Sequence, residues 1–256
     1  MTTLAEMTLK VAREITEVLY GTATTGAATS ITDTANLTQQ KAYWDKGSVW
    51  ILSETHSGKT AIVTGFSNNK LTFATFGTSV ETCRYAVARA TFPYRQLAQA
   101  INAALDEVRV LAEDTTLTGD GETLEFPLPA GVTNIEHIEF TRYGSSPAEK
   151  SPSHHWHVRG GDIKWDYGYA PCDGDTIHIW HRTYHDELTT YSDTLNERVN
   201  EEWVKWKACE HALYWGVKTY QDAKEYRLEE LMNKVIERQK GLLPQPIAIK
   251  IRTAGA

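Results

Sequence analysis

Leu4, Met7, Val11, Ile15 and Val18 recur at steps of three and four, with Lys10, Arg13, Glu14 and Glu17 between them. That spacing lines one face of a helix with apolar side chains, and Tyr20-Gly21 closes it, so residues 1–20 are expected to be helical. A second helical period follows Phe92-Pro93, where Leu97, Ile101, Leu105, Val108 and Leu111 share a face and the proline stands near the first turn. Ala98, Ala100, Ala103 and Ala104 make this helix slim enough for close packing. A third stripe runs through Val199, Trp203, Trp206, Cys209, Leu213, Val217 and Tyr220. It continues in Leu228, Leu231, Val235 and Gln239 before Gly241 ends the pattern. Residues 1–20, 92–113 and 196–242 are therefore expected to form one helical bundle.

Between these segments the period shortens. Thr22 to Thr34 is rich in Thr, Ala and Gly, which suits an edge strand or an extended connector. Val49 to Leu52, Ala61 to Phe66, Lys70 to Phe76 and Arg84 to Ala88 read as strands, with Asn68-Asn69 as a turn, so residues 21–90 are expected to be a small β module. In residues 114–195 the strand candidates are Thr123 to Phe126, Ile135 to Tyr143, His155 to Arg159, Asp162 to Asp166 and Thr176 to Tyr184. Gly160-Gly161 between two of them signals a hairpin. In the last segment, 243–256, Pro244 and Pro246 exclude a helix, and Ile247, Ile249 and Ile251 alternate as in a strand. The expected fold is α+β: a bundle of N-terminal, central and C-terminal helices with two inserted antiparallel β modules and an extended C-terminal arm.

With 41% apolar and 23% charged residues in 256, the chain can bury a substantial core. No apolar run approaches the roughly 18 to 20 residues that span a bilayer, and Met-Thr-Thr-Leu-Ala-Glu lacks the marks of a signal peptide, so use in a cytoplasm is expected. Cys83, Cys172 and Cys209 are widely spaced and fit buried thiols better than disulfides or a zinc site. A net charge of −7 argues against a surface that grips nucleic acid, while leaving room for a wall past which DNA slides.

Candidate chemistry is sparse. Ser57-Gly58-Lys59-Thr60 follows a buried strand pattern and invites comparison with a phosphate loop. Yet Ser53 occupies the first glycine position, and Ala-Ile-Val-Thr-Gly-Phe follows, a strand pattern where the phosphate loop needs a helix. A hairpin loop with a surface lysine is expected instead. His137, His154, His155, His157, His178, His181 and His185 crowd the second β region, interleaved with Trp156, Trp165 and Trp180. His155 and His157 share a strand face, as some zinc sites require, but surface or interface hydrogen bonding accounts for them more simply. There is no Gly-x-Ser-x-Gly elbow, and Asp173 and Asp175 around Gly174 read as a turn. No catalytic residue, cofactor or metal ligand is expected. Eight Trp and twelve Tyr suit either mixed core filling or protein interfaces.

Two stretches carry a family resemblance. The first comprises Gly21-Thr22-Ala23-Thr24-Thr25-Gly26, Ile31-Thr32-Asp33-Thr34, Tyr43-Trp44-Asp45-Lys46-Gly47-Ser48-Val49-Trp50-Ile51, Gly58-Lys59 and Val63-Thr64-Gly65-Phe66. It resembles a β module of neck and tail-associated proteins of tailed bacteriophages. The second, His185-Asp186-Glu187-Leu188-Thr189, Ser192-Asp193-Thr194-Leu195 and Glu201-Glu202-Trp203 with Ala208 and Ala212, resembles the link from a β domain into C-terminal helices in the same proteins. The resemblance implies a head-to-tail connector, or adaptor, in a dodecameric ring under the portal, with neck or tail proteins below and DNA in the lumen. It places the protein in the virion, after assembly in the bacterial cytoplasm, with no membrane partner. The arm would bind the portal through Pro244, Pro246, Ile247, Ile249, Lys250, Ile251 and Arg252, its strand pairing edge to edge and its cations steering toward acidic surface. A tail-completion, tail-tube or fibre-attachment subunit would share the β module. A metal-dependent hydrolase built on the histidines is the enzyme alternative.

Overall fold

The computed structural model describes residues 2–53, 58–142, 144, 150–219 and 225–244. Of the expected portal-binding residues only Pro244 is among them. Pro246, Ile247, Ile249, Lys250, Ile251 and Arg252 lie outside the described residues.

The molecule is mostly β, which corrects the expected helical bundle with β insertions. Fourteen strands form three antiparallel sheets of seven, four and three strands among the described residues, against four helices of 12 to 19 residues. The strands are not decorations on a helical frame, because each β region encloses an apolar core of its own. The chain divides into two compact units, Met1–Val108 with Asp186–Ala256, and Arg109–His185.

In the first unit, α1 (Leu4–Ile15) begins with a capping box: Thr3 Oγ1 accepts from Glu6 N at 3.3 Å, and Thr3 N donates to Glu6 Oε2 at 3.1 Å. The seven-stranded sheet runs in the order β1 (Val18–Thr22), β7 (Arg84–Ala88), β4 (Ser48–Ile51), β5 (Thr60–Ser67), β6 (Lys70–Phe73), β3 (Ser30–Thr32), β2 (Thr25–Ala27). Its two ends, β1 and β2, are halves of one bent strand separated only by Ala23 and Thr24. Ala23 N donates to Cys83 O at 2.9 Å and Thr24 N to Thr32 O at 2.8 Å, which carries the pairing through the bend and rolls the sheet into a small barrel. Leu37, Trp44, Val49, Ile51, Val63, Phe66, Leu71 and Tyr85 fill it. The low-complexity stretch is thus the closing strand. Its small residues are required there, since a Cβ on Gly26 would lie 2.5 Å from the Val80 carbonyl oxygen.

α2 (Tyr94–Leu105) receives a cap from the barrel, as Tyr94 N donates to Ser48 Oγ at 3.1 Å. It stops well short of the expected residue 113, because the chain from Arg109 pairs as a strand with Thr176–Tyr184. α3 (Glu201–Thr219), whose first amides donate to Asn200 Oδ1, packs against α1, α2 and α4 (Glu225–Gln239). No helix among the described residues is long and apolar enough to cross a membrane.

In the second unit, β11 (Lys150–Ser153), β10 (Ile135–Thr141), β14 (Thr176–Tyr184) and β8 (Arg109–Thr118) form one sheet. The other comprises β12 (Trp156–Arg159), β13 (Asp162–Trp165) and β9 (Glu125–Pro127). Ile138, Ile177 and Ile179 of the first pack on Phe126, Ile163 and Trp165 of the second, giving a two-layer sandwich. The Gly160-Gly161 hairpin joins β12 to β13 in register.

Candidate functional site

The phosphate-loop lookalike is a structural tie. Gly58 donates to Ile51 O at 2.7 Å, the chain enters β5 at Thr60, and Lys59 Nζ donates to Phe76 O at 2.7 Å and Thr78 Oγ1 at 3.0 Å. The ammonium therefore fastens the β4–β5 loop to the segment after β6. Lys59→Met is expected to lower the unfolding free energy by about 1 kcal/mol, read as a shift of the urea midpoint with an unchanged slope.

The histidines fall into distinct roles. His155 stands just before β12, stacked on Tyr169 with centroids 3.6 Å apart, its Nδ1 3.7 Å from Asp166 Oδ2. His157 is exposed on the strand. They do not form a ligand pair, and no group of three or more His, Cys, Asp or Glu among the described residues is arranged to hold a metal. His178, His181 and His185 are buried in the chain, so for these three the surface half of the expected surface or interface role is corrected. Cys172 is exposed, contrary to the expected burial, while Cys83 and Cys209 are buried and burial pushes the Cys209 thiol up.

On the sheet face opposite the core of the second unit, four strands contribute to one polar network. His178 Nδ1 lies 2.5 Å from Glu113 Oε1 and its Nε2 2.7 Å from Thr141 Oγ1. Lys150 Nζ donates to the same Glu113 oxygen at 2.6 Å and sits 4.9 Å above the Trp180 ring, whose Nε1 donates to Glu139 Oε2 at 2.8 Å. A hydroxyl, an imidazole and a carboxylate in a row could in principle relay a proton, but the ammonium on the same carboxylate oxygen makes the set a cross-strand clamp. Burial raises the Glu113 pKa, and hydrogen bonds from Lys150 and His178 outweigh it, leaving the carboxyl below its ordinary value. A depressed folded-state pKa adds stability that is present above the unfolded value and is lost as the pH falls through the folded one. Glu113→Gln is therefore expected to destabilise the protein at pH 7, and the gap to the wild type should close in urea melts taken progressively below pH 4.5.

Comparison with protein-family models finds no match, and comparison with curated proteins finds none either. The chain's own surfaces are therefore what bears on function.

Two of them stand out in the first unit. The expected arm follows Leu243, whose carbonyl oxygen accepts from Asn200 Nδ2 at 3.3 Å beside the start of α3 and which is itself 57% exposed. A cavity of about 540 Å³ opens between the end of α1, the β7–α2 connection and α4. Buried Ile15, Phe92 and Leu228 line its floor, and exposed Arg13, Arg89 and Arg227 stand at its rim. Arg13 lies 4.0 Å over the Tyr20 ring and Arg89 4.5 Å over the Tyr43 ring, with Glu17 3.8 Å from Arg89. Residues so far apart in sequence leave no local motif, so pattern reading could not have found this cluster.

Proposed function

We propose that the protein is a structural component of a tailed-bacteriophage virion, a head-to-tail connector. Its copies form a ring of about twelve beneath the portal, and genomic DNA passes through the lumen. The observation that carries this reading is that the described residues of the first stretch resembling neck proteins, between Gly21 and Phe66, lie within one barrel with its own core. In support, the second stretch leads from His185 directly into α3, whose Trp203, Trp206, Cys209 and Leu213 are buried. Along the sequence the module precedes α3 and residues 243–256 follow the helices, an order that supports the reading. The role is mechanical: docking, sealing the channel and offering a platform to the neck or tail proteins below. The arm augments an edge of the portal, and the acidic chain as a whole does not grip DNA.

Sedimentation of the purified protein with portal rings through a density gradient tests the reading. Migration of both in one fast-moving band, at a near-equal copy ratio, is expected. Complete separation at micromolar concentrations of both would overturn it.

A further inference from the structure

We propose that the arginine-rimmed cavity is the socket for the Asp166–Tyr169 turn of a neighbouring copy, and that this knob-and-socket contact repeats around the ring. The inference rests on the ring reading for its repetition, but the contact itself is argued from two surfaces of this chain.

The socket combines an apolar floor with cationic walls. Its volume of about 540 Å³ lies in the range that accommodates a ligand or an inserted side chain. Glu14 and Glu17 also line it, yet Glu14 is 3.6 Å from Lys205, and Glu17 faces Arg89 and accepts from Tyr43 Oη. Among the described residues no carboxylate pairs with Arg13 or Arg227. The local balance is positive on a chain of net charge −7, so the occupant that fits carries an apolar ring and an adjacent acid.

The chain displays such a group. Tyr167 is 94% exposed, the most exposed of its large apolar side chains among the described residues. It stands at the tip of a turn held by Tyr169 N donating to Asp166 O at 3.0 Å, with Gly168 at φ +87°. The turn is pinned at its base, because Tyr169 stacks on His155 and Asp166 N donates to His155 O at 3.0 Å. With the backbone of the turn pinned, docking has to fix only the two side-chain torsions of Tyr167, and an exposed aromatic beside a carboxylate has the character of an interface anchor. Because knob and socket are different surfaces, the contact is head-to-tail, the kind that closes into a ring when the rotation per copy divides the circle. Asp166 would meet the rim guanidiniums while the Tyr167 ring covers the floor.

The test places the photo-cross-linker benzoylphenylalanine at position 167 in the full chain. Light and isotope-heavy copies are mixed, alone at high concentration and on portal rings, and the cross-linked peptides are identified by mass. Cross-links from 167 of one copy to peptides containing Ile15, Phe92 or Leu228 of another are expected. Their yield should fall at least tenfold in Arg13→Glu/Arg227→Glu and recover when Asp166→Lys is added, with circular dichroism confirming that each variant is folded. Cross-links confined to one chain or to other surfaces, no cross-links, or an undiminished yield in the charge-reversed variant would overturn the contact. Rings that form without this cross-link sink the contact and leave the connector reading standing. Cross-linked copies that never assemble on the portal do the reverse.

Discussion

Removing residues 244–256 is expected to abolish docking onto portal rings while leaving the far-ultraviolet circular dichroism and the urea midpoint unchanged. The fold should survive because the described core is filled by residues from Leu4 to Val235, and the bond from Asn200 Nδ2 to Leu243 O lies before the cut. Docking should not survive. Burying Ile247, Ile249 and Ile251 is worth about 4–9 kcal/mol before the costs of association, and main-chain pairing along the same segment is lost with them. A loss of affinity of about a hundredfold or more corresponds to only about 3 kcal/mol of that sum. Surface plasmon resonance on immobilised portal rings reads it directly, and a truncated protein that binds as tightly as the full chain would remove the arm from the account of docking.

The second large effect concerns the barrel itself. Asp33 is 1% exposed and accepts four hydrogen bonds: from Ala35 N and Asn36 N at 3.0 Å, from Asn36 Nδ2 at 2.8 Å and from Tyr85 Oη at 2.9 Å. It ties the loop after β3 to the middle of the barrel. Burial, and then the facing Asp33 carboxylate, push the Tyr85 phenol well above its ordinary range, so the phenol remains a donor at any working pH. Asp33→Ala strands two amides and the Tyr85 hydroxyl, which is fully buried, and is expected to destabilise the protein by about 3–5 kcal/mol. Tyr85→Phe removes one donor and should cost about 1–2 kcal/mol. In the double variant the two losses should not add, because the orphaned hydroxyl is gone. Additive losses in urea melts would mean that the pair is not coupled.

How much of this was legible in the chain depended on the length of each signal. Leu4, Met7, Val11 and Ile15 are buried along α1 as their spacing implies, and Thr176–Tyr184 forms a strand with the expected bounds. Leu111 illustrates the failure. Leu105, Val108 and Leu111 continue a helical step, but Val108 and Val110 equally begin a strand alternation, and pairing with β14 decided for the strand. The helices dominated the expected architecture because 12 to 19 periodic residues make a strong local signal. Strands of three to five residues, such as those between Val18 and Thr32, make almost none, and barrel closure is a non-local event that no window of sequence contains. The candidate surfaces divide the same way. The alternating isoleucines of the arm are visible as a pattern, though all but Pro244 of the expected arm residues fall outside the described residues. Arg13, Arg89 and Arg227 come together only when α1, the end of β7 and α4 have been placed, and Tyr167 declares itself only by its exposure.

The most direct test of the connector reading is the native mass of the purified full chain, measured alone and after mixing with portal rings. A protein that is monomeric alone and adds about twelve copies per portal ring would bear the reading out. A small stable oligomer whose mass is unchanged by the portal, with portal rings that gain no mass, would contradict it.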